Sequence, residues 1–172
     1  TEGRGAETIA KFADDLEAHN GHASNIEQVC IDMSAAFIKG VTDNLPEAEI
    51  TFDKFHAVKL VNDAVDKVRR AESKDRPERK RTRYLWLRNE PSLSARGRRQ
   101  LAALTTLHLK TARAYQIRLA FQEIYQQPTR GWGALFLDRW YAWAIRSRLE
   151  PIKHAARSIK RHRDGILAWF DS

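Results

Sequence analysis

Ile9, Phe12, Ala13 and Leu16 fall three and four positions apart, the spacing of one helix face, and Asn20-Gly21 marks where that helix over Ala6–Asn20 should stop. The next apolar run, Ile26-Glu27-Gln28-Val29-Cys30-Ile31, is short, rich in β-branched residues and ended abruptly by Asp32, which predicts a buried strand. Ser34 is placed to cap a helix whose apolar positions are Phe37, Ile38, Val41 and Leu45, with Pro46 just beyond its end. Glu49-Ile50-Thr51-Phe52 predicts a second strand, and it too ends in an aspartate, Asp53. Phe55, Val58, Val61, Val65 and Val68 then continue at helical spacing into Arg69-Arg70. In the order α-β-α-β-α the two strands are joined by a crossover helix, so they should pair in parallel and bring Asp32 and Asp53 to one rim. Ligands of open α/β sheets bind at such rims.

After Glu72 the pattern changes. Residues 73–83 hold no apolar side chain and are expected to form no packed element. Tyr84-Leu85-Trp86-Leu87 is a brief apolar segment, and Ser94 opens a helical pattern that runs to Gln127 with a break near Thr105-Thr106. Pro128 to Gly131 punctuates, a further helix runs from Trp132 to Leu149, and Pro151 suits the first turn of another. Trp132, Phe136, Trp140 and Trp143 share a helix face and read as core, as does Cys30 within its apolar strand. The expected organisation is α/β plus all-α and predominantly helical: a first part over residues 1–72, a basic linker over 73–90 and an all-helical part over 91–172. The apolar ending Ile166–Phe170, without a cap or polar tail, reads as a chain cut off within a larger protein.

Charge sharpens this division. Residues 1–53 carry 3 basic and 11 acidic side chains, whereas residues 54–172 carry 27 and 11. The second part should attract a polyanion, and DNA is the expected partner, with a merely solvated surface as the bland alternative. No apolar run approaches the ~18 residues that a spanning helix needs, so no membrane partner is expected and a cytoplasmic chain is the default. The single cysteine leaves no internal disulfide and no cysteine-built zinc site.

Three stretches carry a resemblance. Asp32-Met33-Ser34-Ala35-Ala36-Phe37-Ile38-Lys39-Gly40-Val41, Ile50-Thr51-Phe52-Asp53-Lys54-Phe55-His56 and Ala64 to Arg70 resemble bacterial insertion-sequence transposases of the DDE type, the ISL-three group. Arg83-Tyr84-Leu85-Trp86-Leu87 and Gly165-Ile166-Leu167-Ala168-Trp169-Phe170 extend the likeness over essentially the whole chain. The resemblance implies a partial RNase H-like fold, with a parallel βαβ remnant and a helical insertion domain. It also implies metal-dependent DNA cleavage and strand transfer in the transposition of an insertion sequence. In that family two aspartates and a glutamate hold two Mg²⁺ or Mn²⁺ ions, and Asp32 matches the second aspartate. Hard carboxylates at rigid strand ends suit that chemistry. The first aspartate and the glutamate would lie outside these 172 residues, so the isolated chain is expected to be inactive and to hold metal weakly. The intact parent is expected to act as a homo-oligomer. A non-catalytic basic DNA-binding module and a decayed transposase remnant are the alternatives.

Around Asp32, the positions Asp53 and His56 belong to the family's Asp-Lys-Phe-His-like word and are expected to support the site or touch phosphate. Arg76, Arg79, Lys80, Arg81 and Arg83 form one basic cluster, and Lys153, Arg157, Lys160, Arg161 and Arg163 line another; either suits a DNA backbone. His19 with His22, and His154 with His162, lack a third ligand at metal spacing and read as surface residues.

Overall fold

The computed structural model describes residues 5–74, 82–107 and 109–171. It divides into two compact units, one built from residues up to Ala57 together with His162 onward, the other from Val58–Arg161. The first unit is discontinuous in sequence because the last segment packs with the strands.

In the first unit, helix α1 (Ala6–Ala18) ends where the spacing places it. Asn20 takes a left-handed φ of 63°, and the Gly21 N–H returns to the Leu16 carbonyl at 2.9 Å, which closes the helix end. Strand β1 (Gln28–Ile31) leads through Asp32 into α2 (Ala35–Asn44), whose first turn is held by the Ser34 hydroxyl accepting from the Phe37 N–H. A Cβ at Gly40 would lie 3.0 Å from the Ala6 carbonyl oxygen and 2.9 Å from Ile9, so α1 sits on α2 nearly backbone to backbone. Strand β2 (Glu49–Phe52) pairs with β1 in parallel, Gln28 opposite Glu49 and Ile31 opposite Phe52.

The short helix α9 (Arg163–Leu167) covers β2. A Cβ at Gly165 would lie 2.6 Å from the Phe52 ring, and the His162 ring meets that ring edge-on at 5.2 Å. On the other side of the strand pair, Thr51 is buried while its register partner Cys30 is exposed. The strand starts two residues later than the apolar run suggests, and Cys30 is a surface residue rather than core.

Helix α3 (Lys54–Lys74) begins beside β2 and continues into the second unit, running further than the charged sequence after Glu72 suggests. There it is joined by α4 (Arg83–Leu87), α5 (Ala95–Thr105), α6 (Lys110–Gln122), α7 (Arg130–Ile145) and α8 (Glu150–Arg161). Ser94 caps α5 through the Gly97 N–H, and Thr129 caps α7 through the Trp132 N–H. Helix α6 runs through the core, with Ala114, Ile117 and Phe121 fully buried and the Trp140 indole N–H donating to the Ile117 carbonyl.

Three polar links tie α3 to later segments of this unit. The Asp66 carboxylate, nearly buried, meets Arg69 and Arg70 at 2.8 Å and Arg83 at 3.7 Å. Glu72 accepts from the Lys110 and Thr111 N–H groups at the start of α6. Arg118, 2% exposed, donates to the Asn62 and Asn89 side chains and the Leu87 carbonyl, acceptors that are all neutral.

The tryptophan face of α7 is only partly core. Gly133, Leu137, Trp140 and Ala144 point inward, while Trp132 and Trp143 are exposed. No helix among the described residues is long and apolar enough to cross a membrane.

Candidate functional site

The rim at the C-terminal ends of the two strands is built by one local device used twice. Asp32 is the first residue after β1 and Asp53 the first after β2. The Asp53 N–H donates to the Ile31 carbonyl at 3.0 Å, which carries the parallel pairing one step past the strands and brings the aspartates into adjacent positions. Each then turns the chain into a helix. The Asp32 Oδ1 accepts from the Ser34 N–H at 2.8 Å, and the Asp53 Oδ1 accepts from the Phe55 N–H at 2.8 Å.

The two carboxylates nevertheless differ. Asp53 caps α3 directly, since its carbonyl also accepts from the His56 and Ala57 N–H groups. Its second oxygen lies 3.9 Å from the His56 Nε2, with both side chains close to half exposed. Asp32 leaves the capping of α2 to Ser34, so its second oxygen makes no hydrogen bond or ion pair among the described residues. A carboxylate with one oxygen fixed by a backbone donor and the other open is what a hard divalent cation requires of a ligand. Among the described residues no three histidine, cysteine, aspartate or glutamate side chains converge as a metal cage.

The charge of the rim reaches Cys30. Partial burial, and then the neighbouring Asp53 carboxylate, push its thiol above the usual cysteine range. Beyond Asp53, Lys54 lies 5.5 Å from the centre of the Trp169 ring, a cation–π contact within the same unit.

The basic clusters fare unequally. Arg76, Arg79, Lys80 and Arg81 lie outside the described residues. Arg83 is half exposed, shared between Asp66 and the Tyr84 ring. On α8, Lys153 pairs with Glu150, and Lys160 pairs with Asp138 at 3.1 Å while lying over the Tyr141 ring. Arg157 and Arg161 point outward, and Arg163 falls in α9 instead. The Lys153 hydrogen bond is the main reason that the Glu150 carboxyl is held below its ordinary range. Sequence reasoning missed the exposed α7 tryptophans and the buried Arg118, which carries no local signal to separate it from a surface helical arginine.

Comparison with known proteins adds a family. A family model described as transposase, of the DDE type and ISL-three group, matches residues 1–172. The transposase for insertion sequence element IS1001 of Bordetella parapertussis is 31% identical over 96% of this chain and 42% of its own length. The transposase for insertion sequence element IS1557 of Mycobacterium tuberculosis is 28% identical over 95% of this chain and 43% of its own length. The chain thus spans less than half the length of these curated relatives. No solved structure matches it.

Proposed function

Because the chain belongs to the ISL-three family of DDE-type transposases, we propose that it contributes to metal-dependent cleavage and strand transfer of DNA during transposition of an insertion sequence. Its first unit is then part of an RNase H-like core, and its second unit the helical insertion that follows the second catalytic aspartate. The observation that carries this reading is Asp32: it stands at the end of a parallel strand, held through one oxygen by the Ser34 N–H and open through the other.

On this reading Asp32 holds Mg²⁺ or Mn²⁺ with acidic partners from elsewhere in the transposase. Bound divalent ions stabilise the charge that builds on the leaving oxygen and lower the pKa of the attacking hydroxyl. The chain's own residues set the geometry. The Ser34 N–H fixes the Asp32 carboxylate, and the strand beneath it removes conformational freedom from the ligand. Asp53 and His56 line the same rim, where the carboxylate supports the start of α3 and the imidazole offers a donor to a substrate phosphate. The outward cations of α8 follow the DNA backbone.

The rim is tested by Mn²⁺ titration of the 172-residue chain, followed through paramagnetic broadening of backbone amide signals. Broadening is expected to centre on Asp32–Ser34 and Asp53–Phe55 and to disappear in Asp32→Asn. Broadening centred elsewhere, or unchanged in that variant, overturns the assignment of Asp32.

A further inference from the structure

Trp132, Leu135, Arg139, Trp143 and Arg146 recur three, four, four and three residues apart along α7 and its C-terminal end, which sets them on one face. All five are exposed, Trp132 by 57% and Leu135 and Trp143 by 43% each, while the opposite face of the helix is core. Arg139 and Arg146 make no ion pair among the described residues. Surface tryptophans in this number, on one helix and interleaved with unpaired guanidinium groups, mark a contact surface.

The same helix is joined to more positive charge. Asp138 and Tyr141 of α7 both engage Lys160 of α8, and Arg157 and Arg161 of α8 are exposed. Between Arg130 and Arg161 there are eight cations and two carboxylates. Both carboxylates are engaged, Asp138 by Lys160 and Glu150 by Lys153. The occupant must therefore bring negative charge, and it must also bring flat apolar faces for the indoles. Paired DNA offers the first but buries its base faces in the stack. Unpaired DNA offers both.

We propose that the outward face of α7 binds unpaired nucleotides, with Trp132 and Trp143 stacking on exposed bases while Arg139, Arg146 and the α8 arginines hold the flanking phosphates. The indoles stand about 16 Å apart along the helix axis. They therefore engage bases several nucleotides apart on one strand, as at a frayed or nicked element end. This rests on the reading of the chain as part of a DNA-processing enzyme and deepens it by naming the form of DNA held here.

The test compares binding of the 172-residue chain to a labelled single-stranded oligonucleotide and to a duplex of the same sequence, by anisotropy and by quenching of tryptophan fluorescence. The single strand is expected to bind more tightly and to quench. Trp132→Ala with Trp143→Ala should weaken it roughly tenfold or more while leaving duplex binding and helical circular dichroism unchanged. Trp132→Phe with Trp143→Phe, which keeps an aromatic face, should retain most of the affinity and guards against a folding artefact. Duplex binding with no tryptophan-dependent preference for the single strand overturns this inference and leaves the proposed function standing. Failure to bind either form overturns both. Self-association that is abolished by the alanine pair also overturns the inference, because the occupant is then a second protein surface.

Discussion

Asp53 illustrates how one side chain serves two neighbours. It caps α3 through one oxygen, and its charge helps to raise the Cys30 thiol above the usual range. A raised thiol pKa means less thiolate at a given pH, hence slower alkylation. Asp53→Asn keeps the cap, since asparagine and aspartate are equivalent there, and should change stability by less than about 0.5 kcal/mol. It removes the negative charge, so alkylation of Cys30 by iodoacetamide should become faster and its pH profile should move toward lower pH. Burial is the larger cause and persists, so the profile should not return fully to that of a free thiol. An unchanged profile would mean that the Asp53 charge does not reach the sulfur.

At the scale of elements, the closest packing is made by glycines. Gly165 lets α9 rest on β2, and an added methyl would meet the Phe52 ring and the Ile50 carbonyl. Gly165→Ala should destabilise the first unit by about 1–3 kcal/mol, as overpacking does, and speed hydrogen exchange at Ile50–Phe52 without altering the amides of α6. This contact also marks the limit of what the sequence discloses. Boundaries set by local chemistry are legible: the Ser34 and Ser94 caps, Pro46 beyond α2, and the strand-ending aspartates all stand where short-range rules put them. The rim, too, was readable, because a βαβ order forces parallel pairing. What local pattern does not carry is which surface is covered. Spacing puts Trp132, Phe136, Trp140 and Trp143 on neighbouring positions of α7, but the side that packs is centred on Gly133, Leu137 and Ala144, so Trp140 is buried and Trp132 and Trp143 are not. The exposure of Cys30 is of the same kind, since an apolar strand run does not say that the face holding Cys30 stays open while its register partner Thr51 is covered.

Over the whole molecule, the excess of positive charge predicts a salt-sensitive association with duplex DNA. If Arg139, Arg146, Arg157 and Arg161 each neutralise a phosphate, the logarithm of affinity should fall with the logarithm of salt with a slope of about −3 to −4. Arg157→Glu with Arg161→Glu should reduce that slope by about two, measured by anisotropy across a salt series. A slope near zero would remove duplex DNA from the partners. The division into units makes a separate prediction. A chain ending at Arg161 keeps every residue of the helical unit but lacks the cover of β2, so it should retain slow exchange in α6 and α7 while the strand amides become unprotected.

That same interruption gives the chain a timetable. The strands and their crossover helix leave the ribosome first, yet the glycine that seats against Phe52 is added only after all of Val58–Arg161 has been made. At ordinary elongation rates this is a wait of roughly 5 to 20 s, far longer than a helical bundle needs to form. The helical unit has its full complement of residues in one unbroken stretch and completes during that wait. Of these two units the first is therefore the later to be covered, and a nascent chain presents its basic, tryptophan-bearing surface before β2 receives the segment that packs on Phe52.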